Sequence, residues 1–508
     1  MILSLGGNEP MFPKDPNLEA EFTFETERSG VVEDRPFQLL VLGDWTADGA
    51  KRELANRRPI EIDRDNFDDV MKGLGVCLDL DLGGTLAELE FSSIDDFHPD
   101  ELFKNIPVFA ELRGLRKRLR NSDTFNSAAR EVREWSATVA APAEPKPVTP
   151  FSPASADNLL DAILSQPEGG AATPKPAVSS DLSRLIGDLV RPHLITVDEN
   201  EQAAMVAAVD HAISGTMRSI LHDRRFQLLE SAWRGLFFLV RRTETAADLK
   251  IYILDVSKEE LANDLRSDAG GNALARIFAS GQNGEPWAAV AGNFAFLPDV
   301  DDVAALIRIA KLSAASRTPF ISHIRPEVLG IHSLADHPDR EAWDLTGMSD
   351  AGKLWTTLRG LPESQYLGLT MPRFLARLPY GSDTEPAEAF SFEEFTDGFG
   401  HDDHLWANGC FAVALLLGQS YREFEWEFGQ RFVQDIDGLP LHMYKRDGET
   451  VYQSCAEVQL SQIAAEALME YGVMPVVSFK NMDRIRLGRL QAVSDPVTVL
   501  KGAWSSSV

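Results

Sequence analysis

The sequence predicts an α/β (α+β) protein made of two mixed α/β domains joined by a Pro/Ala-rich linker. Two observations predict this class. Apolar runs of strand length alternate with amphipathic helical patterns along most of the chain. Between residues 136 and 180 that alternation gives way to Pro, Ala, Ser, Thr and Gly, a composition typical of a linker. The 508 residues and the 44% hydrophobic content allow a sizeable core in at least one domain.

The first predicted domain covers residues 1–135. Its clearest element is residues 37–42 (FQLLVL), a continuous apolar run that is typical of a strand buried on both faces. A helix is predicted to begin after Asp65 or Asn66, either of which can cap it. Alternating or helical periodicity marks further elements at residues 21–27, 66–73, 86–91 and 100–120.

The predicted linker, residues 136–180, contains one amphipathic stretch at residues 157–166 (DNLLDAILSQ). A single helix of this length is marginal in water, so we expect it to be bound in cis or by a partner. Its apolar stripe consists of Leu159, Leu160, Ile163 and Leu164.

The second predicted domain covers residues 181–508 and alternates helices with strands, which favours a mixed sheet with covering helices. Each of the two globular parts could bring a sheet. Helical patterns lie at residues 181–190, 198–241, from 257 onward, and at 301–316. Strand patterns lie at residues 249–254 and 287–296.

Charge and cysteine content exclude several classes of protein. The net charge of −29 repels nucleic-acid backbones and anionic lipid surfaces, so neither partner is expected. Three distant cysteines fit neither a disulfide framework nor a zinc ribbon. The first residues do not resemble a secretory signal, and the longest apolar run, residues 410–418, is half of a membrane span. We therefore expect a cytoplasmic protein.

The sequence offers weak metal-site candidates. Residues 401–404 (HDDH) could place two histidines on one helical face, but a polar loop explains them better. Asp63, Asp65 and Asp69 lack the glycine and the glutamate that a calcium loop needs, so a strand end and a helix cap are favoured. We expect no metal and no cofactor.

No enzymatic constellation is apparent either. The phosphate-binding loop, the dinucleotide fingerprint, HExxH and GxSxG are all absent. His222 lies in a helical context and is interpreted as a packed histidine rather than a catalytic base. Cys410 lies on an apolar helix and is interpreted as a core residue. We expect a protein without catalytic activity.

Three motifs in residues 20–135 give the chain a resemblance to TssB, the small sheath subunit of type VI secretion systems. They are PFQLLVLGDW at 36–45, RRPIEIDRDNFDDVM at 57–71 and LEFSSIDDFHPDELF at 89–103. Their order and spacing match the family. The residues that carry this resemblance are interpreted as architectural: Asp44, Asp63, Asn66, Phe67, Asp96 and Phe97.

After the linker, the chain resembles TssC, the large sheath subunit. The strongest match is RSILHDRRFQLLESAWRGLFFLVRRT at residues 218–243, and collinear matches follow at 249–265, near Phe294, at 366–381 and at 405–414. Here too the matching residues are interpreted as architectural. They are His222, Phe226, Glu230, Trp233, Arg234 and Gly235.

The resemblance implies a contractile sheath protein in which the two subunits are fused, and we expect its TssC-like part to be shortened at the C-terminus. Such a protein would polymerise around an inner tube and contract. The alternative is a sheath-like accessory: a cap, a baseplate adaptor or a regulator. The implied partners are other sheath subunits, the tube, the baseplate and a ClpV-type ATPase.

Two interaction elements follow from the resemblance. Leu159, Leu160, Ile163 and Leu164 look like the helix that the ATPase grips, although docking in cis is equally open. Phe22 and Phe24 mark a strand that would be donated to a neighbouring subunit.

Overall fold

The central strand of the protein, β1 (Phe37–Gly43), comes from the first part of the chain and lies in a sheet that later residues mostly build. The computed structural model describes residues 35–49, 51–83, 86–137, 186, 201–266, 272–396, 398–429, 431–446 and 448–505. The described residues within 35–137 are called the amino-terminal segment below. Those within 201–505 are called the carboxy-terminal segment.

Strands and helices alternate along both segments. The strands are β1, β2 (Ile60–Ile62), β3 (Val76–Asp81), β4 (Leu86–Phe91), β5 (Leu249–Asp255), β6 (Ala289–Phe296), β7 (Phe320–Ile324), β8 (Leu367–Met371), β9 (Phe374–Leu375), β10 (Trp406–Ala407), β11 (Asp435–Ile436), β12 (His442–Arg446), β13 (Glu449–Gln453), β14 (Met474–Ser478) and β15 (Ile485–Leu487). The helices are α1 (Phe67–Leu74), α2 (Pro99–Asn105), α3 (Pro107–Arg120), α4 (Ser122–Ala137), α5 (Glu201–Leu221), α6 (Arg224–Arg242), α7 (Lys258–Arg266), α8 (Ala273–Ser280), α9 (Val300–Ser316), α10 (Asp350–Arg359), α11 (Gly409–Phe424) and α12 (Gln462–Glu470).

Nine strands form one main sheet in the order β11-β15-β14-β8-β7-β6-β1-β5-β2. Strand β1 runs parallel to β5 along its whole length, from Phe37 opposite Leu249 to Gly43 opposite Asp255. On its other side it pairs in parallel with β6. The expectation that each globular part could bring a sheet is therefore wrong for this main sheet. Both neighbours of β1 belong to the carboxy-terminal segment, and the sheet is common to the two segments.

The main sheet separates two hydrophobic cores, and β1 contributes to both. Leu39 and Val41 lie in one core, with α6, α11 and most of the amino-terminal segment. Leu40 and Leu42 lie in the other core, with α9, α10 and α12. All seven residues of β1 are buried, as the continuous apolar run predicts for a strand covered on both faces.

Several predicted elements are confirmed, and two predicted helices prove to be interrupted. The strands at β1, β4, β5 and β6 lie where periodicity places them. The helix predicted at residues 100–120 divides into α2 and α3, because Pro107 has no N–H to donate to the preceding turn. The pattern at residues 198–241 divides at Asp223, whose carboxylate caps α6 by accepting from the backbone N–H groups of Arg225 and Phe226.

Two short hairpins stand outside the main sheet. One pairs β3 with β4 and the other pairs β12 with β13, both antiparallel. On the first hairpin, buried side chains alternate with exposed ones, so one face packs on the core and the other faces solvent.

No helix in the described ranges is both long enough and apolar enough to cross a membrane. The predicted linker, residues 136–180, lies outside the described residues apart from the end of α4.

The position of β1 predicts that the two segments stay associated when the chain between them is cut. A protease site inserted between residues 138 and 185 would allow that cut without touching a described strand or helix. We expect the two fragments to co-elute in size-exclusion chromatography and to separate only in denaturant, because β1 fills the sheet between β5 and β6. Fragments that separate in native buffer would contradict the common sheet. As a matched control, the same cut in a Leu40→Asp variant should release them, since Leu40 is fully buried.

Candidate functional site: the joint between the two segments

The residues that join the two segments form a buried polar and aromatic layer at the carboxyl ends of β1 and β5, called the joint below. Asp255 ends β5, and its carboxylate accepts from the backbone N–H of Trp45 at 2.8 Å and from the hydroxyl of Thr46 at 2.9 Å. Arg57 donates to the carbonyl of Asp255 at 2.6 Å and forms a bidentate pair with Glu260. Each of these bonds connects one segment to the other.

Aromatic rings fill the apolar part of the joint. The indole N–H of Trp233, on α6, donates to the carbonyl of Trp45 at 3.0 Å, and the two rings meet edge-on at 5.5 Å. Phe67, at the start of α1, packs its ring edge-on against Trp233 at 5.7 Å. Phe97 stacks on Phe91 at 4.3 Å, and both contact Phe226 of α6. The aromatic residues of the family motifs thus pack against one another across the joint.

A glycine allows α6 to approach its neighbour in the carboxy-terminal segment. A Cβ atom added to Gly235 would lie 2.4 Å from the ring of Phe411 on α11, which is far closer than van der Waals contact permits. The close packing of α6 on α11 therefore depends on the missing side chain.

A buried ion network holds the loop after β9 against α6. Glu230 is fully buried and accepts from Arg234 at 2.6 Å and from Arg377 at 2.7 Å. Arg377 also contacts Glu394 at 2.7 Å, so this guanidinium bridges two buried carboxylates. Arg234 donates to the hydroxyl of Tyr380 at 2.7 Å. We call these five residues the Arg377 network.

Glu394 and Arg377 keep their ionised forms despite burial. Burial by itself raises the pKa of Glu394, but Arg377 and the hydrogen bonds to its carboxylate outweigh that effect and lower the pKa to about 2. Burial lowers the pKa of Arg377, and the two carboxylates raise it well above its usual value. His222 lies at the rim, with Nε2 3.6 Å from Glu394 and Nδ1 3.6 Å from Asp403, beyond hydrogen-bonding distance.

The loop that the network holds also contacts the amino-terminal segment. The carboxylate of Asp100, in the first turn of α2, accepts from the backbone N–H groups of Glu388 and Ala389, each at 2.9 Å. Nearby, Phe103 stacks on Phe390 at 4.5 Å. The network therefore positions a loop on which α2 rests.

The remaining amino-terminal motif residues stabilise turns. Asp63 accepts from the backbone N–H groups of Asp65 and Asn66, and the side chain of Asn66 accepts in return from the N–H of Asp63. Asn66 stands at the N-cap of α1, but its side chain does not bond into that helix. Asp44 pairs with Lys51 at 2.5 Å.

Asp96 does not cap α2, the helix that follows it. Its carboxylate accepts from the backbone N–H groups of Ser92 and Ser93 and caps a short 3₁₀ turn at Ile94–Phe97. His98 caps α2 instead, with Nδ1 accepting from the N–H of Asp100.

The weak metal candidates of the sequence do not assemble in the described residues. His401 contacts Glu457 at 3.2 Å, and His404 contacts His442 at 3.1 Å, so the two histidines have different partners. Within the described part of the chain, the single group of three or more His, Cys, Asp or Glu side chains whose ligand atoms lie within 4.8 Å of one another is Cys77, Asp79 and Glu88 on the β3–β4 hairpin.

Two predicted interaction elements lie outside the described residues. They are the candidate donated strand with Phe22 and Phe24, and the linker helix with Leu159, Leu160, Ile163 and Leu164.

The two segments that the joint links match two different protein family models. Residues 203–493 match the family model VipB, described as EvpB/VC_A0108, tail sheath N-terminal domain. That range covers more than half of the 508 residues. The chain belongs to this tail sheath family. Residues 14–135 match the model described as type VI secretion system, VipA, VC_A0107 or Hcp2. The predicted fusion of the two sheath subunit types is confirmed.

A curated relative gives the same assignment. The type VI secretion system sheath protein TssC1 of Pseudomonas aeruginosa strain PAO1 is 36% identical over 307 residues. The alignment covers 58% of this chain and 61% of the relative, so the chain spans about three fifths of the length of the curated relative that it matches. The joint is thus the contact between a VipA-type and a VipB-type segment.

Sequence reasoning did not identify three of the five residues of the Arg377 network. Glu230 and Arg234 belong to the VipB-type motif on α6, but their partners Arg377, Tyr380 and Glu394 were not singled out. The available signal was a single arginine within the apolar stretch FLARLPY at residues 374–380, since a charge in a buried stretch needs a partner. Nothing in the sequence names that partner, because 147 positions separate Arg377 from Glu230.

The Arg377 network predicts a large loss of stability for Arg377→Met. The change leaves Glu230 and Glu394 buried without their shared cation, so the free energy of unfolding should fall by about 3–5 kcal/mol. Urea unfolding followed by tryptophan fluorescence measures this loss. The matched control is Arg266→Met, which breaks the exposed pair with Asp301 and should cost less than about 1 kcal/mol. Equal losses in the two variants would contradict a special role for the network.

The His404–His442 pair predicts a loss of stability in mild acid. Burial lowers the pKa of His404 to about 3 and that of His442 to about 4, so both rings stay neutral in the fold. Unfolded histidines protonate near pH 6.5, and the contribution to stability is therefore complete above that pH and declines as the pH falls toward 4. Each ring contributes about 2 kcal/mol to the loss between pH 7 and pH 5, so we expect about 4 kcal/mol for the pair.

A histidine variant tests that assignment. His442→Gln should flatten the pH dependence between pH 7 and pH 5, because one protonation linked to unfolding is removed. His332→Gln, on a loop away from the pair, serves as the control and should retain the full slope. An unchanged slope in His442→Gln would show that other groups cause the acid sensitivity.

Proposed function

We propose that this chain is a structural subunit of a type VI secretion contractile sheath, which polymerises around an inner tube and contracts to drive it out of the cell. The observation that carries the proposal is that one chain matches both sheath families, VipA over residues 14–135 and VipB over 203–493. The joint adds a physical reason. The two sheath segments share one sheet, so the polymerising unit contains both.

The proposed unit is structural rather than catalytic and works in the cytoplasm. Its partners would be further copies or other sheath subunits, the inner tube and the baseplate. Contacts that build an open helical polymer join different surfaces of successive copies, head to tail. Extension would store free energy in such contacts, and contraction would release it.

Strand donation is the proposed contact between copies. Residues 20–27, with Phe22 and Phe24, would add to an exposed strand edge of a neighbour. The β12–β13 hairpin supports this proposal, because each of its strands is five residues long and pairs with no third strand in the described residues. An edge of that length is long enough to pair with the candidate strand. An open edge also promotes aggregation, and pairing with a donated strand would prevent this.

The linker helix at residues 157–166 is the proposed contact of a ClpV-type ATPase that would recycle contracted sheath. Its stripe of four apolar residues supports binding by a groove, and the alternative is docking in cis.

Electron microscopy tests the proposed function. Negative-stain images of the purified protein, alone and mixed with a tube protein from the same cell, should show hollow helical cylinders. A Phe22→Asp, Phe24→Asp variant should stay as single units of normal stability, because it loses the donated strand and leaves the joint intact. Persistent small complexes of the unaltered chain, where a conventional sheath pair assembles, would overturn the sheath subunit and favour a cap, a baseplate adaptor or a regulator.

A further inference from the structure

The outer edge of β4 is a long strand edge without a partner in the described part of the VipA-type segment. Strand β4 (Leu86–Phe91) pairs with β3 on one side, from Val76 opposite Phe91 to Asp81 opposite Leu86. No described strand pairs with its other side, and the two strands form a separate sheet. A row of open N–H and C=O groups is a template for an added strand.

A groove runs along this edge and has one apolar and one acidic side. Its volume is about 260 Å³, and α2 forms the opposite wall. Leu89, Leu102 and Ile106, which are almost fully buried, line the side toward the core, while Glu88 and Glu90 stand on the solvent face of β4. A second groove of about 460 Å³ continues from it past Glu90.

The solvent face of the hairpin carries two like charges opposite each other, and Glu88 accepts a weak hydrogen bond from the thiol of Cys77 at 3.6 Å. Asp79 on β3 lies directly opposite Glu88 on β4. Like charges at directly opposed positions destabilise a pair of strands. Carboxylate oxygens of the two residues and the sulfur of Cys77 lie within 4.8 Å of one another. A cationic side chain placed beside Glu88 and Glu90 would relieve that repulsion.

We propose that the outer edge of β4 binds an extended segment of a partner protein in which cationic and apolar side chains alternate. The cationic residues would lie beside Glu88 and Glu90, at the 4.5–5.5 Å spacing of cross-strand neighbours. The apolar residues would point to the opposite side, toward Leu89 and Ile106, because successive side chains of a strand alternate between faces.

Charge complementarity separates this partner from a second copy of the chain. The candidate donated strand at residues 20–27 contains Glu21, Glu25 and Glu27, so Glu88 and Glu90 would repel it. The whole chain carries a net charge of −29. The β4 edge therefore fits a basic partner, and this assignment is independent of whether the chain polymerises.

Binding of a designed peptide to the full chain tests the proposal. The probe is a fluorescent peptide in which lysine and valine alternate, compared with the same peptide carrying glutamate in place of lysine. We expect the lysine peptide to bind in fluorescence anisotropy and the glutamate peptide not to bind. Hydrogen–deuterium exchange should show new protection of the amides of Leu86–Phe91. Absence of binding by the lysine peptide, or protection confined to other residues, would overturn the proposal.

Two controls separate strand addition from general attraction to an acidic protein. Glu88→Lys with Glu90→Lys should weaken binding by about tenfold or more, whereas Glu466→Lys with Glu470→Lys, exposed on α12, should change it by less than about twofold. A lysine peptide with alternate amides methylated keeps its charge but cannot pair with the edge, and we expect it not to bind. Equal binding by both double variants, or tight binding of the methylated peptide, would show surface adsorption and contradict the assignment.

Discussion

The insertion of β1 between β5 and β6 is the constraint on which the rest of this structure depends. A parallel strand in the interior of a sheet satisfies its backbone groups on both sides and its side chains on both faces. Without β1, the VipB-type segment would present two inner strand edges and two half-covered cores to water. The VipA-type segment is therefore part of the fold of its partner rather than a separate domain placed against it.

This constraint gives the single chain a physical advantage. Two separate subunits must meet and order together before the main sheet can form, at a cost in translational and rotational freedom. A covalent connection turns that meeting into an intramolecular step and fixes the ratio of the segments at one to one. Hydrogen bonds across the joint, such as those of Asp255 with Trp45 and Thr46, then keep the two segments together.

The Arg377 network fixes the position of a loop more than it adds to the net stability of the fold. The network buries two carboxylates and two guanidiniums, and the loss of their hydration offsets much of the attraction between them. An apolar cluster of equal volume would therefore stabilise the fold at least as well. A bidentate guanidinium is nevertheless specific in direction, since both of its carboxylate partners must lie in its plane. The loop that carries Glu388 and Ala389 is thereby fixed where Asp100 of the VipA-type segment meets it.

Local patterns predicted the elements of the fold well, and long-range pairing limited what could be predicted. The run at residues 37–42 indicates a strand buried on both faces, but which strands cover its edges depends on partners about 210 and about 250 positions away. The helix interruptions had local causes that periodicity hides, since the apolar stripe of residues 100–120 continues across Pro107. In the joint, the motif residues on α6 could be named in advance. Their partners could not, because contact between Glu230 and Arg377 is a property of the folded chain.

The open strand edges of the described chain are distributed in a way that constrains assembly. The main sheet ends in β11, with two residues, and β2, with three, and such short edges offer an added strand little to pair with. The longer edges belong to the two hairpins, six residues on β4 and five on each strand of β12–β13. The solvent face beside β4 is acidic, with Glu88 and Glu90, whereas β12 carries Lys445 near its turn. The main sheet, which contains β1, therefore offers an added strand less edge to pair with than either hairpin does.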